Sequence, residues 1–541
     1  MGKRVVLELD LTEPPGEAPP GDPVAAVLAR RRPTLLGVVR ALREAAGDPD
    51  VAGLVAKVGG PIALARAQEV RDAVRRFSAT AGKPAVAWAE TFGEGQPATS
   101  AYLLATGFDE IWLQPSGDLG LTGVAVEATF LRGALDKLGL EPQLGRRHEY
   151  KNAVDRLTAT GFTDAYREAA ARLAGSALEQ VVAAVAESRG LTPARVRELV
   201  DEAPLAAERA REVGLVDRVG YRDEVYAALE DRGELLYLSR YRRHGAAAQV
   251  VRRIRRKKAV GIVGVTGGIS QGRSRRGPLG PSGGAGSDTV AAALRSAGRS
   301  DSIGAVVLRV DSPGGSYVAS DVIWREVRRL REAGTPVVAS MGDVAASGGY
   351  FVAMGADTIV AQPGTITGSI GVFAGKLVTA GLLDRLGVGT DAVSEGRQAL
   401  MFSPRAPFDD EQWRRLEEWL DRVYDDFVGK VAQARGLTRD RAHELARGRV
   451  WTGADAHERG LVDELGGLEH AVELAARRAG ITDPPVRRWP QRGPADLVRT
   501  PRSSEDAAAA LTDWSPGLAG LAARLGVPYG PLTMPPLTLA P

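Results

Sequence analysis

Residues 101–123, AYLLATGFDEIWLQPSGDLGLTG, lie over residues 349–371, GYFVAMGADTIVAQPGTITGSIG, at a constant offset of 248. Before them, GKPAVAW (82–88) matches GTPVVAS (334–340), with four extra residues inserted in the first copy. After them, GLVDRVG (214–220) matches GLVDELG (460–466). A period this long is not that of a solenoid, whose units run to about 20–50 residues. The chain therefore reads as one domain of roughly 200 residues present twice, which accounts for most of its 541 residues. The expected division is an amino-terminal domain over 1–239, a basic linker over 240–258, a carboxy-terminal domain over 259–480 and a Pro-rich tail over 481–541.

Within each copy the pattern is strand then helix. AVGIVGV (259–265) and AVVLRV (305–310) are short, continuous apolar runs, as buried parallel strands read. After the second run comes SYVASDVIWREVRRLREAG, with apolar residues at helical spacing and a glycine stop; PVVAS then returns as a strand. The alternation predicts an α/β fold, with helices over a mostly parallel sheet.

Lys and Arg number 70 against 67 Asp and Glu, so the overall field is weak and argues against a chain built to grip nucleic acid. Cysteine is absent, which removes disulfide and thiolate chemistry. No His/Asp/Glu cluster has metal-ligand spacing, so neither a metal nor another cofactor is expected. The opening MGKRVVLELDLTEPPGEAPPG lacks an apolar h-region, and no run of about 18 apolar residues occurs. The expectation is a cytoplasmic chain without signal peptide or transmembrane helix. RYRRHGAAAQVVRRIRRKK (240–258) reads as a solvated linker helix; contact with an anionic membrane surface, through it or the apolar tail, is the sharper alternative. QGRSRRGPLGPSGGAGSD (271–288) reads as a mobile loop.

The stretch DVAASGGYFVAMGA (343–356) sets Ser347 where a helix is about to start. Alone, a serine before Gly-Gly is usually a helix cap. As a nucleophile it would need a base to take its proton. None of the five histidines, His148, His244, His443, His457 and His470, falls in this segment. A lysine serves if burial keeps it neutral, and the repeat offers one. RRHEYKNAVD carries Lys151, whose counterpart in the second copy is Ala399, whereas Ser347 falls on Thr99 in the first. Each copy has lost what the other kept, as a single active site shared between the copies would explain. VDSPGGSY adds a tight turn at a helix start, with Gly315 and Gly348 as candidate oxyanion donors. TGSIG supplies Ser369, opposite Leu121 in the first copy, as a hydroxyl able to orient the amine. Each signal alone has an ordinary structural reading: a turn, a cap or a surface lysine.

Together VDSPGG, DVAASGGY, TGSIGVF, GRVWTGADAHERGLVD and the first copy's EYKNAVD resemble the signal peptide peptidase A (protease IV) family of serine peptidases. The likeness covers roughly residues 50 to 475. It implies two tandem ClpP/crotonase-like domains and a Ser-Lys dyad, with Ser347 as nucleophile, Lys151 as general base and Ser369 positioning the lysine. It matches Gly348 and the Gly315 region to the oxyanion-hole segments. It also implies peptide substrates that are extended and apolar, such as released signal peptides, and assembly as a homo-tetramer. Long members usually carry an amino-terminal membrane anchor, which this sequence does not show. Two rival readings are a crotonase-type acyl-CoA enzyme, which needs neither Ser347 nor Lys151, and a non-catalytic scaffold at a membrane surface.

Overall fold

The computed structural model describes residues 4–17, 33–244, 258–274, 284–490, 532–533 and 538–540. In the first copy Val5–Asp10, Val51–Lys57, Ala85–Ala89 and Glu110–Leu113 are strands, side by side and parallel in that order. Glu234–Tyr237 and Arg218–Val219 extend this sheet at its two edges. Residues 51–56 are buried without alternation, as a parallel strand covered on both faces requires. In the second copy the sheet runs Ile366–Gly368, Val337–Ala346, Ile303–Ser312 and Ala259–Thr266, again parallel. Val450–Thr452 joins it antiparallel, beside Ile366–Gly368. Each copy is an α/β unit with its own main apolar core.

The duplication extends beyond the segments that match by eye. Helices Asp164–Arg189 and Asp410–Arg435 each run for 26 residues, from caps at Thr163 and Asp409 to left-handed Gly190 and Gly436. Arg189 pairs with Asp217, and Arg435 with Asp463. The buried Tyr102 and Tyr350 hydroxyls donate to Leu215 and Leu461 carbonyls, so the two copies close their helices on their sheets identically.

The copies dock closely. Helix Leu64–Ala81 of the first copy lies against the second: Gln68 Oε1 accepts from the Gly364 amide at 2.8 Å and Glu69 Oε1 from the Leu468 amide at 2.7 Å. Strand Glu141–Arg147 of the first copy pairs antiparallel with Val372–Val378 of the second. One helix among the described residues, Asp164–Arg189, is long and apolar enough to cross a membrane, yet half of that apolar stretch is buried in the fold.

Two elements lie across the expected boundaries. The second sheet takes a further strand, Val486–Arg488, from the stretch assigned to the tail, because Ala259–Thr266 offers it an open parallel edge. The first domain runs past 239, through helix Leu238–His244, whose Leu238 and Tyr241 pack on its core. The rest of the basic linker up to 257 lies outside the described residues, as do 275–283 of the loop, whose flanks Ile269–Ser270 and Ala285–Gly286 pair with each other. Most of the tail also lies outside them. Beyond residue 490 its described pieces are two strands, Leu532–Thr533 and Thr538–Ala540.

Candidate active site

Ser347 follows strand Val337–Ala346, and Ser369 follows strand Ile366–Gly368. These strands are parallel neighbours with Ala346 beside Gly368, so the two serines leave the sheet together. Both are wholly buried, and their φ angles are 55° and 51°. Such angles are uncommon for a residue with a Cβ and persist only where the surroundings impose them. At Ser347 the amide donates to Gly368 O at 2.7 Å, and the carbonyl accepts from Phe351 N at 2.8 Å as helix Gly348–Ala353 begins. At Ser369 the amide donates to Arg449 O at 2.7 Å.

Lys151 comes from the other copy. The antiparallel register sets Arg147 opposite Val372, so the chain past Arg147 runs back alongside the residues before Val372, toward Ser369. The following turn is held by Lys151 N donating to His148 O, Tyr150 N to Arg447 O and Asn152 Nδ2 to Asp155 Oδ2. Arg146 also bonds Asp155. Lys151 Nζ ends 2.8 Å from Ser347 Oγ, 2.9 Å from Ser369 O and 3.0 Å from Ser369 Oγ. Its side chain is wholly buried, and burial pushes the amine well below its ordinary value, with no carboxylate to offset it.

Four histidines with described side chains are engaged elsewhere. His443 bonds the Tyr424 hydroxyl with His148 stacked beside it, His457 faces the Val462 carbonyl, and His470 bonds Glu464.

Gly348 and strand Gly314–Gly315 meet beside the Ser347 turn. A Cβ on Gly348 would stand 3.1 Å from Gly315 N and from Gly314 Cα, and one on Gly315 would strike Ile269 O at 2.0 Å. This glycine strand also receives a partner. Leu532–Thr533 of the tail lies antiparallel on it, Leu532 opposite Gly315 and Thr533 opposite Gly314. In the first copy the corresponding positions have turned structural: Thr99 Oγ1 donates to Gly123 O and Leu121 is core. Ala399, opposite Lys151 in the repeat, sits exposed in a segment without strands.

The model of peptidase family S49 matches residues 78–235 and 329–482, one stretch in each copy. The chain belongs to peptidase family S49. By family it is a serine peptidase. Lys151 lies in the first S49 stretch and Ser347 and Ser369 in the second, while Gly315 lies outside both. The chain is 33% identical over 448 residues to the Serine protease SPPA, chloroplastic, of Arabidopsis thaliana, covering 81% of this chain and 64% of that relative. It is 32% identical over 464 residues to Protease 4 of Haemophilus influenzae, covering 82% of this chain and 73% of the relative. To Protease 4 of Salmonella typhi it is 32% identical over 463 residues, covering 83% and 72%.

Sequence reasoning does not reach the S49 residues that make room for the lysine. Gly448, at φ 84°, donates its amide to Ile370 O, and a Cβ there would fall 2.4 Å from Lys151 N. Gly371 lies against it, its Cβ position 2.8 Å from Gly448 Cα. The available signal was the glycine opening GRVWTG, one of the segments that carry the resemblance.

Proposed function

We propose that this S49 chain is a serine endopeptidase in which Ser347 attacks and Lys151 acts as general base. One observation carries the reading: a wholly buried amine, with no carboxylate partner among the described residues, lies 2.8 Å from a buried serine hydroxyl. A neutral amine has two N–H bonds and one lone pair. Three oxygens surround Nζ, so the two N–H bonds serve Ser369 O and Ser369 Oγ, and the lone pair faces the Ser347 O–H. Ser369 thereby orients the base.

The Ser347 proton passes to Lys151 Nζ as Oγ bonds to the scissile carbonyl carbon. The carbonyl electrons move to oxygen, and the amides of Gly315 and Gly348 hold that oxyanion. Lys151 returns the proton to the leaving amine as the C–N bond breaks. Water then repeats the sequence on the acyl-enzyme, deprotonated by the same lysine.

The substrates we assign are extended, apolar peptides such as released signal peptides. In support, the glycine strand beside Ser347 already accepts an extended antiparallel segment, Leu532–Thr533, the geometry by which peptides add to sheet edges. The same reading includes a homo-tetramer, testable by light scattering on the purified chain.

Fluorophosphonate labelling tests the dyad directly. Wild type is expected to take label on Ser347, while Ser347→Ala and Lys151→Ala take none. Turnover in Ser347→Ala should fall by at least about 10³-fold, in line with nucleophile removal elsewhere. Near-normal turnover in that variant would defeat the reading.

A further inference from the structure

Strand Val337–Ala346, which leads to Ser347, is not regular. Against strand Ile303–Ser312 its register jumps: Val310 faces Met341, but Ser312 faces Ala345. The extra residues form a β-bulge, a device that bends a strand and re-aims the residues beyond it while leaving backbone groups without ladder partners. Side chains take up those groups here. Arg309 Nη1 donates to Met341 O at 3.0 Å, Thr365 Oγ1 to Gly342 O at 2.9 Å, and Asp311 Oδ1 accepts from Val344 N at 3.1 Å. Asp311 closes directly over the bulge, and a Cβ on Gly342 would stand 3.0 Å from its own Cβ.

One residue of the first copy ties this arrangement together. The Arg66 amide donates to Asp343 Oδ1 at 3.0 Å, and its Nη2 lies 2.5 Å from Asp343 Oδ2 and 3.4 Å from Asp311 Oδ2. Glu17, 3.6 Å from the same nitrogen, links it to Arg309, which also pairs with Glu69. Asp311 lies four positions before Gly315, and Asp343 four before Ser347. One guanidinium therefore bridges the strand entering the glycine turn and the strand entering the nucleophile turn.

We propose that Arg66, with Asp311 and Asp343, is a positioning clasp by which the first copy sets Ser347 relative to the Gly314–Gly315 turn. This rests on the Ser347 reading above. The first copy then contributes to the site twice, through Lys151 and through the brace beneath the nucleophile. None of the three clasp residues touches the reacting atoms; they act through the bulge. Misplacing a reacting group by about 1 Å can cost on the order of 10²-fold in rate. The clasp therefore acts on kcat and spares KM.

The test uses the full chain as Arg66→Ala, Arg66→Lys and Asp343→Asn, with Ser347→Ala alongside. The readouts are kcat and KM on an extended peptide, the fluorophosphonate labelling rate and far-UV circular dichroism. Arg66→Ala is expected to lose about 10- to 100-fold in kcat and in labelling rate, with KM within about threefold of wild type. Arg66→Lys, which keeps the charge, should recover part of that loss. Asp343→Asn preserves the volume and the acceptor for the Arg66 amide, so it keeps the proposal testable if Arg66→Ala fails to fold. It should lower kcat by about three- to tenfold at unchanged KM.

A folded Arg66→Ala with wild-type kcat, or Asp343→Asn with wild-type kcat, overturns the clasp. So does Arg66→Lys as slow as Arg66→Ala, or a loss confined to KM. If Ser347→Ala keeps its turnover, the nucleophile reading fails instead, whatever Arg66 does.

Discussion

Gly448 lies so close to Lys151 that a single added carbon would stand 2.4 Å from the lysine amide nitrogen and 2.6 Å from its Cα. The backbone of the second copy thus forms the wall against which the lysine of the first is pressed. Gly448→Ala would drive its methyl into the Lys151 backbone and also adopt φ 84°, which disfavours any Cβ. The expected result is a stability loss of about 1–3 kcal/mol, as overpacking costs elsewhere. Peptidase activity should fall at least about tenfold as Lys151 is pushed out of line. Thermal melts and kcat on the same preparation check both; a fully active, equally stable variant would show that the contact is soft.

Activity should rise with pH. Burial lowers the Lys151 amine well below 10.5, and only its neutral form can accept the Ser347 proton. The profile of kcat/KM therefore climbs through that lowered value, and a flat profile from acid to alkaline pH would rule out a lysine base.

The same shift has a stability consequence of definite sign. Between the lowered folded value and the ordinary 10.5, the unfolded chain binds a proton at this lysine that the folded chain does not. Wild-type stability at this site therefore rises with pH across that window, and at neutral pH the site costs stability. Lys151→Met, inactive but similar in volume, should melt higher than wild type at neutral pH. The gap should close as pH approaches the ordinary lysine value. A gap independent of pH would mean that lysine deprotonation is not its cause.

Ser369→Ala separates the two contacts that Ser369 makes. It removes the hydroxyl 3.0 Å from Lys151 Nζ and leaves the carbonyl at 2.9 Å. A drop in kcat of about tenfold, far smaller than for Ser347→Ala, is expected from losing one hydrogen bond of about 1–1.5 kcal/mol. Loss as complete as in Ser347→Ala would assign Ser369 more than orientation.

The tail strand on Gly314–Gly315 competes with any peptide that adds there. Removing residues 531–541 should lower KM for extended peptides and leave kcat unchanged. A synthetic peptide of this sequence should restore the higher apparent KM to the truncated chain. If truncation leaves KM where it was, the tail does not occupy the substrate edge in solution.

Much of this site is legible in the sequence because duplication leaves a comparison inside one chain. Ser347 against Thr99 and Lys151 against Ala399 show losses in opposite copies, and short apolar runs mark the parallel strands. These are local or strictly periodic signals, and periodicity survives in a linear string. Asp311 and Asp343 each lie in a motif four positions ahead of its functional residue, but nothing in the string shows that they face each other, or that Arg66 reaches both. That depends on a bulge and on helix Leu64–Ala81 of the other copy, a contact spanning 277 positions between Arg66 and Asp343.

The sequence by itself determined that the chain holds two α/β copies, and which residues are the candidates for a single shared site. Tertiary structure decided that Lys151 and Ser347 meet within one chain. Strand Glu141–Arg147 of one copy pairs with Val372–Val378 of the other, and that register carries Lys151 to Ser369. Tertiary structure also decided that burial lowers the affinity of the amine for its proton and that glycines stand where any side chain would collide. Long-range pairing, burial and close approach arise from how separate elements pack, and packing has no local signature in the chain.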